Sequence, residues 1–373
     1  MTRERTPPGL SRRRFLRWSG AGTLAALGGS IFVPRAAQAA GPLKVGFALV
    51  SPAAEMGWTK QHSLGVAAIK QALGDAVDIS TIDNVFQPQD AERVFRGFAA
   101  SGHQLVYGTS FSHGVAMARV APQFAGVAFD CCAGTKILAN LGGFEARYHE
   151  GAYLAGVAAA RVSKSGKLGF VGGFPIPDIV GPANAFLLGA QSVAPSMTCI
   201  IIFMNSWEDP GKEKDATLAL IAQNCDVIAA MTDGPVAVQT AEQRGVWAIG
   251  YASDMRRFAP TRQLTALTLD WRSIYVQDAK DVIAGVWKAQ SRWQGLKEGV
   301  VAMAPYADSL PADTRALLAK NEAAIKSGAL QPFSGEIRDQ TGAVRVHAGT
   351  AMNESEVRSI NWLVAGMQGR MKG

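Results

Sequence analysis

From residue 44 onward, short β-rich runs alternate with stretches of helical length, and the alternation occurs twice over. The runs are "KVGFALV" (44–50), "VDISTI" (77–82), "QLVYG" (104–108), "GVAFD" (126–130), "KLGFVGG" (167–173), "TCIIIFM" (198–204), "DVIAA" (226–230), "VWAIG" (246–250) and "LTALTLD" (264–270). Segments such as "DAERVFRGFAASG" and "EGAYLAGVAAARVSKSG" lie between them, each closed by glycine or another breaker. Parallel strands need a crossover, which helices supply, so the pattern predicts an α/β fold built on parallel sheets. Four strands precede residue 145 and four more run from 167 to 250, with a helix over 149–162 between the groups. The doubling predicts two doubly wound lobes joined by a hinge of several crossings. Lobe 1 is expected over 42–146 plus about 271–295, and lobe 2 over 147–270 plus about 296–373, including a C-terminal tail. The ninth strand and a helix over 273–289 are expected to return to the first lobe. "RSINWLVAGM" is expected to form a helix docked on the body. A chain of 373 residues, 48% hydrophobic and 18% charged, can bury two such cores.

The net charge of +7 is unevenly placed. Residues 1–39 carry seven arginines against Glu4, a surplus of six, which leaves the remainder at +1. A nearly neutral body gives no electrostatic case for nucleic acid. The arginines belong to "SRRRFLRWSG", which matches the twin-arginine export signature, followed by a weakly apolar stretch and the small-residue site "AAQA" ending at Ala39. The apolar part is shorter than the roughly 20 residues a spanning helix needs. The mature chain is expected to begin near Ala40 and to reach the periplasm in soluble form. Cys131, Cys132, Cys199 and Cys225 lack zinc-site spacing, and an oxidising compartment would permit a disulfide without the sequence choosing one. No metal and no cofactor is expected.

In open parallel sheets ligands bind beyond the carboxyl ends of the strands, and two such lobes can set those ends face to face. Read this way, the cleft receives Ser51, Glu55, Trp58 and Thr59 after the first strand, Ser110 and Phe111 after the third, and Asp130 at the fourth. The second lobe contributes Asn205 and Trp207, then Asp233, then Tyr251 and Asp254, with Asp270 and Trp271 at a crossing. Taken singly, a loop tryptophan is more often a packing anchor, and an aspartate after a strand is most often a helix cap. Caps do not account for tryptophans at equivalent places in both lobes. Aromatics facing across a cleft can sandwich a flat ring, and carboxylates accept from amines, ring N–H groups or hydroxyls. The composition points to a heterocycle.

The order of "GWTKQHSLG", "FDCCAG", "YHEGAYLAGVAAA", "WEDPGKEKDA", "MTDG" and "ASDM" resembles the basic membrane protein family of ABC-importer receptors, the purine-nucleoside-binding type. The resemblance runs from residue 43 into the tail and implies the type I periplasmic-binding-protein fold and purine import through an inner-membrane ABC permease, with the receptor a monomer. Members commonly carry Phe-Asn at Trp58-Thr59 and Ser-Phe at Ser206-Trp207, which implies the ring sandwich at these positions. It also implies base binding by Asp130 and ribose binding by Asp254. A family lysine that contacts sugar is replaced near Asp270-Trp271, as in the branch with "GWT", "DPGKE" and "DW" associated with free bases such as adenine. With Trp58, Trp207 and Trp271 filling sugar space, a base is expected to bind at least about tenfold tighter than its nucleoside.

Two other classes compete. An exported hydrolase could use Cys131 or Cys132 with His149, or His62, His103 and His113 as metal ligands, but no G-x-S-x-G, H-E-x-x-H or phosphate loop accompanies them. A sensor feeding a membrane kinase would use the same fold and is left open.

Overall fold

The computed structural model describes residues 41–52 and 55–371, so the expected export leader lies outside the described residues. Two parallel sheets organise the chain. The first has the order β11-β5-β4-β3-β1-β2, from β1 (Leu43–Ala48), β2 (Val77–Ile82), β3 (Leu105–Gly108), β4 (Ala128–Cys132), β5 (Leu141–Ala146) and β11 (Ser291–Gln294). The second has the order β12-β10-β9-β8-β6-β7-β15, from β6 (Lys167–Gly172), β7 (Thr198–Phe203), β8 (Val227–Met231), β9 (Trp247–Ala252), β10 (Gln263–Leu269), β12 (Val301–Met303) and β15 (Met367–Gln368). Of its pairings only β10 with β12 is antiparallel. A small hairpin, β13 (Ile337–Arg338) and β14 (Val344–Val346), stands apart in the tail.

Helices cover both faces of each sheet, which is why β3, "LVYG", and β8, "VIAAM", are buried at every position instead of alternating. In the first lobe α2 (Pro88–Ala100) and α3 (Phe111–Val120) pack one face through Phe95, Phe98 and Met117. The other face carries α1 (Trp58–Leu73) and α8 (Arg272–Ile283), where Tyr275 meets Phe47 and Tyr107. In the second lobe α6 (Pro210–Ala222) and α7 (Val236–Arg244) cover one face, and α4 (Tyr148–Val162) and α5 (Pro177–Gln191) the other. The longest tail helix, α9 (Ala312–Ser327), packs on α4, and α10 (Glu354–Val357) is one turn held by an Asn353–Glu356 capping box. The chain passes between sheets three times, at β5 to α4, β10 to α8 and β11 to β12.

Three expectations change. The ninth strand, β10, stays in the second sheet between β9 and β12, and only the helix after it returns to the first lobe. That helix ends at Ile283, short of residue 289, because Gly285 turns the chain at φ 69°. "RSINWLVAGM" is not a helix. Its Ile360, Leu363, Val364 and Met367 are buried at helical spacing, but the segment is an irregular arm. Asn184 takes the place of a helical partner, donating to the Trp362 carbonyl at 2.8 Å and accepting from the Val364 N–H at 3.1 Å. Gly366 at φ 88° then delivers β15 to the edge of β7. Strand β5 was not foreseen, since its Gly142-Gly143 pair weakens the strand pattern.

Candidate functional site

The helix α1 begins without a cap of its own: Gly57 precedes it and offers no side chain. The missing acceptor comes from the opposite lobe. Asp233, beyond β8, accepts from the Trp58 backbone N–H, from Ser51 Oγ at 3.0 Å and from Thr59 Oγ1 at 3.3 Å. A Cβ at residue 57 would lie 2.4 Å from the Asp233 carbonyl oxygen, and φ there is +89°, so glycine is required on both counts. Ser253, at the end of β9, accepts from the Gly57 N–H at 3.1 Å and from Gln61 Nε2 at 2.7 Å. Glu55 and Arg257 add an ion pair across the same seam. These contacts define a closed arrangement of the lobes.

Closure leaves a slot beyond the strand ends of both sheets, with about 510 Å³ of empty space including its mouth. The first lobe supplies Val50, Trp58, Ser110, Phe111 and Ala133, and the second supplies Tyr148, Ile176, Asp178, Ile179, Trp207, Thr232, Asp233 and Tyr251. Trp58 is fixed at both ends, donating Nε1–H to the Thr109 carbonyl at 2.8 Å and packing edge-on to Trp271 at 5.8 Å. Ser110 accepts from the Ser112 N–H and so caps α3, which sets Phe111 at its first position. In the facing loop Asp209 caps α6, and the Asp233 N–H donates to the Trp207 carbonyl at 2.9 Å, tying the two loops together. Trp207 then meets Phe111 edge-on at 6.0 Å and Phe174 at 5.0 Å, and Phe86 stacks on Phe174 at 6.3 Å. Aromatic rings from both lobes therefore meet at the rim. Burial pushes the Asp233 carboxyl up to about 6, while its hydrogen bonds from Ser51 and Trp58 hold it down.

Of the residues expected at the cleft, the structure brings Trp58, Ser110, Phe111, Trp207, Asp233 and Tyr251 to the slot. Thr59, Asp130, Asp254 and Trp271 are among those that lie off the lining. Thr59 is buried behind it, bonded to Ser51 at 2.7 Å. Asp130 is 1% exposed and ion-paired to Arg292, which also holds Asp278 at 2.7 Å. Asp254 is on the surface side, accepting from the Arg256 N–H at 3.0 Å and from Gln263 Nε2 at 2.7 Å. Trp271 is wholly buried, stacked on His62 at 5.6 Å and edge-on to Phe144. Its bulk reaches the slot only through Trp58, not by occupying sugar space. Tyr148 and Asp178 were not foreseen: Tyr148 follows β5, a strand the sequence reading lacked, and Asp178 follows β6, whose end was not read for site residues. The cue was in "GFVGGFPIPD", which places Asp178 after β6 as Trp58 is placed after β1.

The histidines of the rival hydrolase reading are packing groups here: burial lowers His62 to about 3 and His113 to about 4. All four cysteines are free and buried. Among the described residues no group of three metal-ligating side chains is assembled, and no helix is long and apolar enough to cross a membrane.

Two hinged α/β lobes closing on an aromatic slot define a solute-binding receptor. Residues 43–329 match the family described as ABC transporter substrate-binding protein, PnrA-like, and the chain belongs to that family. It is 42% identical to a purine-binding protein of Brucella abortus (strain 2308), over 90% of this chain and 96% of that one. It is 31% identical to a putative ABC transporter glucose-binding protein of Haloferax volcanii, over 77% of this chain and 73% of the other. Among solved structures, an ABC transporter solute-binding protein from Aeropyrum pernix K1 superposes with a TM-score of 0.69 at 19% identity, covering 78% of this chain and 93% of that one. Substrate-binding proteins of this family act outside the cytoplasm, bind a small ligand and work with a permease.

Proposed function

We propose that this receptor captures a purine, a free base of adenine type in preference to its nucleoside, and presents its closed form to an inner-membrane ABC permease. The observation that carries the reading is the aromatic lining contributed by both lobes: Trp58 and Phe111 on one side, Trp207 on the other. Stacking a base on such rings is worth about 1–3 kcal/mol per base. Support also comes from the purine-binding relative, which matches along nearly its whole length. Ligand bridging both walls favours the closed state, and no bond is made or broken. The chain acts as a periplasmic monomer exported by the twin-arginine route. Changing Arg12 and Arg13 to Lys would then leave the precursor in the cytoplasm, and normal periplasmic yield would refute that route.

The ligand is tested on protein stripped by unfolding and refolding. Adenine, guanine, hypoxanthine, their nucleosides and glucose are titrated by calorimetry and tryptophan emission. At least one base is expected to bind with micromolar affinity or better and to change the emission. Silence for every purine alongside clear glucose binding would move the assignment to the sugar class of the Haloferax relative.

A further inference from the structure

Asp233 reaches across the lobes from the loop "TDGP", and that loop does not cap the helix it leads into. Pro235 stands at the cap position of α7 and offers neither an N–H nor an acceptor side chain. The acceptor comes from α6. Glu213, in the first turn of that helix, accepts from the Ala237 N–H at 2.8 Å and from the Thr232 hydroxyl at 3.0 Å, both on Oε1. The two donors flank the loop, one just before Asp233 and one in the first turn of α7. Between them the backbone passes close over the carboxylate, where a Cβ at Gly234 would lie 2.8 Å from Oε2. Both α1 and α7 therefore begin on a borrowed cap, and the loop that supplies the first is held by the second.

Glu213 is 1% exposed, and among the described residues no lysine or arginine pairs with it. A carboxyl buried without a cation costs folding free energy, which its hydrogen bonds only offset. Lobe stability alone does not account for a glutamate at this place. The side chain fixes two points of the loop against α6, and α6 starts from the loop that carries Trp207. Asp233 is tied to that second loop as well, through the Trp207 carbonyl. Its carboxylate is thereby set where Ser51, Trp58 and Thr59 meet it. An aspartate on an unheld loop would be ordered only as the lobes closed, and the entropy lost then would weaken closure.

We propose that Glu213 is a positioning residue for closure: it lies off the slot wall and acts through Asp233, by fixing the loop that carries it. The proposal concerns the meeting of the lobes, so it holds whichever ligand the slot takes and does not depend on the purine reading.

A double-mutant cycle tests it, by calorimetry on the stripped, full-length mature protein. The probe is whichever of adenine, guanine, hypoxanthine and glucose the wild type binds. Glu213→Ala is expected to weaken binding about tenfold. Glu213→Gln keeps an acceptor at the Oε1 position and is expected to stay within about twofold of the wild type. In an Asp233→Ala background, Glu213→Ala is expected to change affinity by less than about twofold, because two residues acting through one contact are not additive. A role apart from Asp233 would add its full loss there. Such additivity, wild-type affinity in Glu213→Ala, or a Glu213→Gln variant as weak as Glu213→Ala overturns the proposal. Should Glu213→Ala not fold, Gly234→Ala decides: its methyl presses on Oε2, affinity is expected to fall at least about threefold, and unchanged affinity ends the proposal. Should none of the four ligands bind the wild type, the purine reading fails and small-angle scattering from the ligand-free proteins decides. The radius of gyration of Glu213→Ala is then expected to rise to that of Asp233→Ala, and a value equal to the wild type's overturns the role of Glu213.

Discussion

Asp130 and Asp233 were both expected at a strand end, but Asp130 lies inside β4, two residues short of its end, while Asp233 lies two residues beyond β8, and the structure uses them differently. Asp130 lies inside the first lobe against Arg292, which arrives from β11 and also grips Asp278; Tyr107 donates to the same Asp278 at 3.2 Å. Among the described residues Asp233 pairs with no cation, and it takes partners from the other lobe, through Ser51, Trp58 and Thr59. One carboxyl therefore belongs to the folding of a lobe and the other to the closing of two. The difference follows from where each carboxyl sits, inside a strand or beyond its end, and from which donors reach it there.

The largest expected effect tests the first half of that contrast. Arg292→Met leaves Asp130 and Asp278 facing each other without a cation, at a cost of about 3–5 kcal/mol in denaturant-induced unfolding. A loss under about 1 kcal/mol would show that the pair is not needed for folding.

Asp233→Ala tests the second half. It removes charge-assisted hydrogen bonds formed only on closure, so ligand affinity is expected to fall by about 2–3 kcal/mol, roughly thirty- to hundredfold. Unfolding of the ligand-free protein should change little by comparison. A variant equally weakened in both measurements would erase the distinction.

Proton linkage gives a finer test. In the closed arrangement burial raises Asp233 above the ordinary carboxylate range, to about 6, and parting the lobes is expected to return it toward that range. A group with a raised value in the closed state favours that state below its open value, and the benefit is lost as pH rises through the closed value. Ligand binding near pH 5 should then take up close to one proton at this site, falling away by about pH 8. Calorimetry in two buffers of different ionisation enthalpy measures this uptake. The buried Glu145–Asp178 pair, also raised, titrates with the same sign, so the quantity of interest is the part that Asp233→Asn removes.

The smallest effect is expected from Asp130→Asn. Arg292 keeps Asp278 as an ion-pair partner at 2.7 Å, burial already disfavours a charge on Asp130, and asparagine has the same shape. Stability should change by less than about 1 kcal/mol and ligand affinity should hold. Loss of binding in this variant would return Asp130 to the site.

Much of this was legible in the chain. The strand–helix alternation located most strands of both sheets, and the strand-end rule reached Trp58, Ser110, Phe111, Trp207, Asp233 and Tyr251 on the slot wall. Tertiary partners were not legible. Arg292 lies 162 residues from Asp130, and nothing local marks it as the ion that draws the carboxyl inward. Helical spacing over Ile360–Met367 was real as a burial pattern, yet Asn184 and the open edge of β7 supplied a different backbone solution. Asp178 and Tyr148 escaped notice because the end of β6 was not read for site residues and β5, with its paired glycines, did not read as a strand.

The borrowed cap on α1 has one more consequence, for amide exchange. When the lobes part, the N–H groups that open α1 lose Asp233 and Ser253 and face water. Exchange at Gly57 and Trp58 should therefore track the fraction of time the lobes stand apart, while amides deep in β1 and β8 report unfolding of the lobes themselves. The protein carries its own clock for opening at the residue that walls the slot, readable without a label.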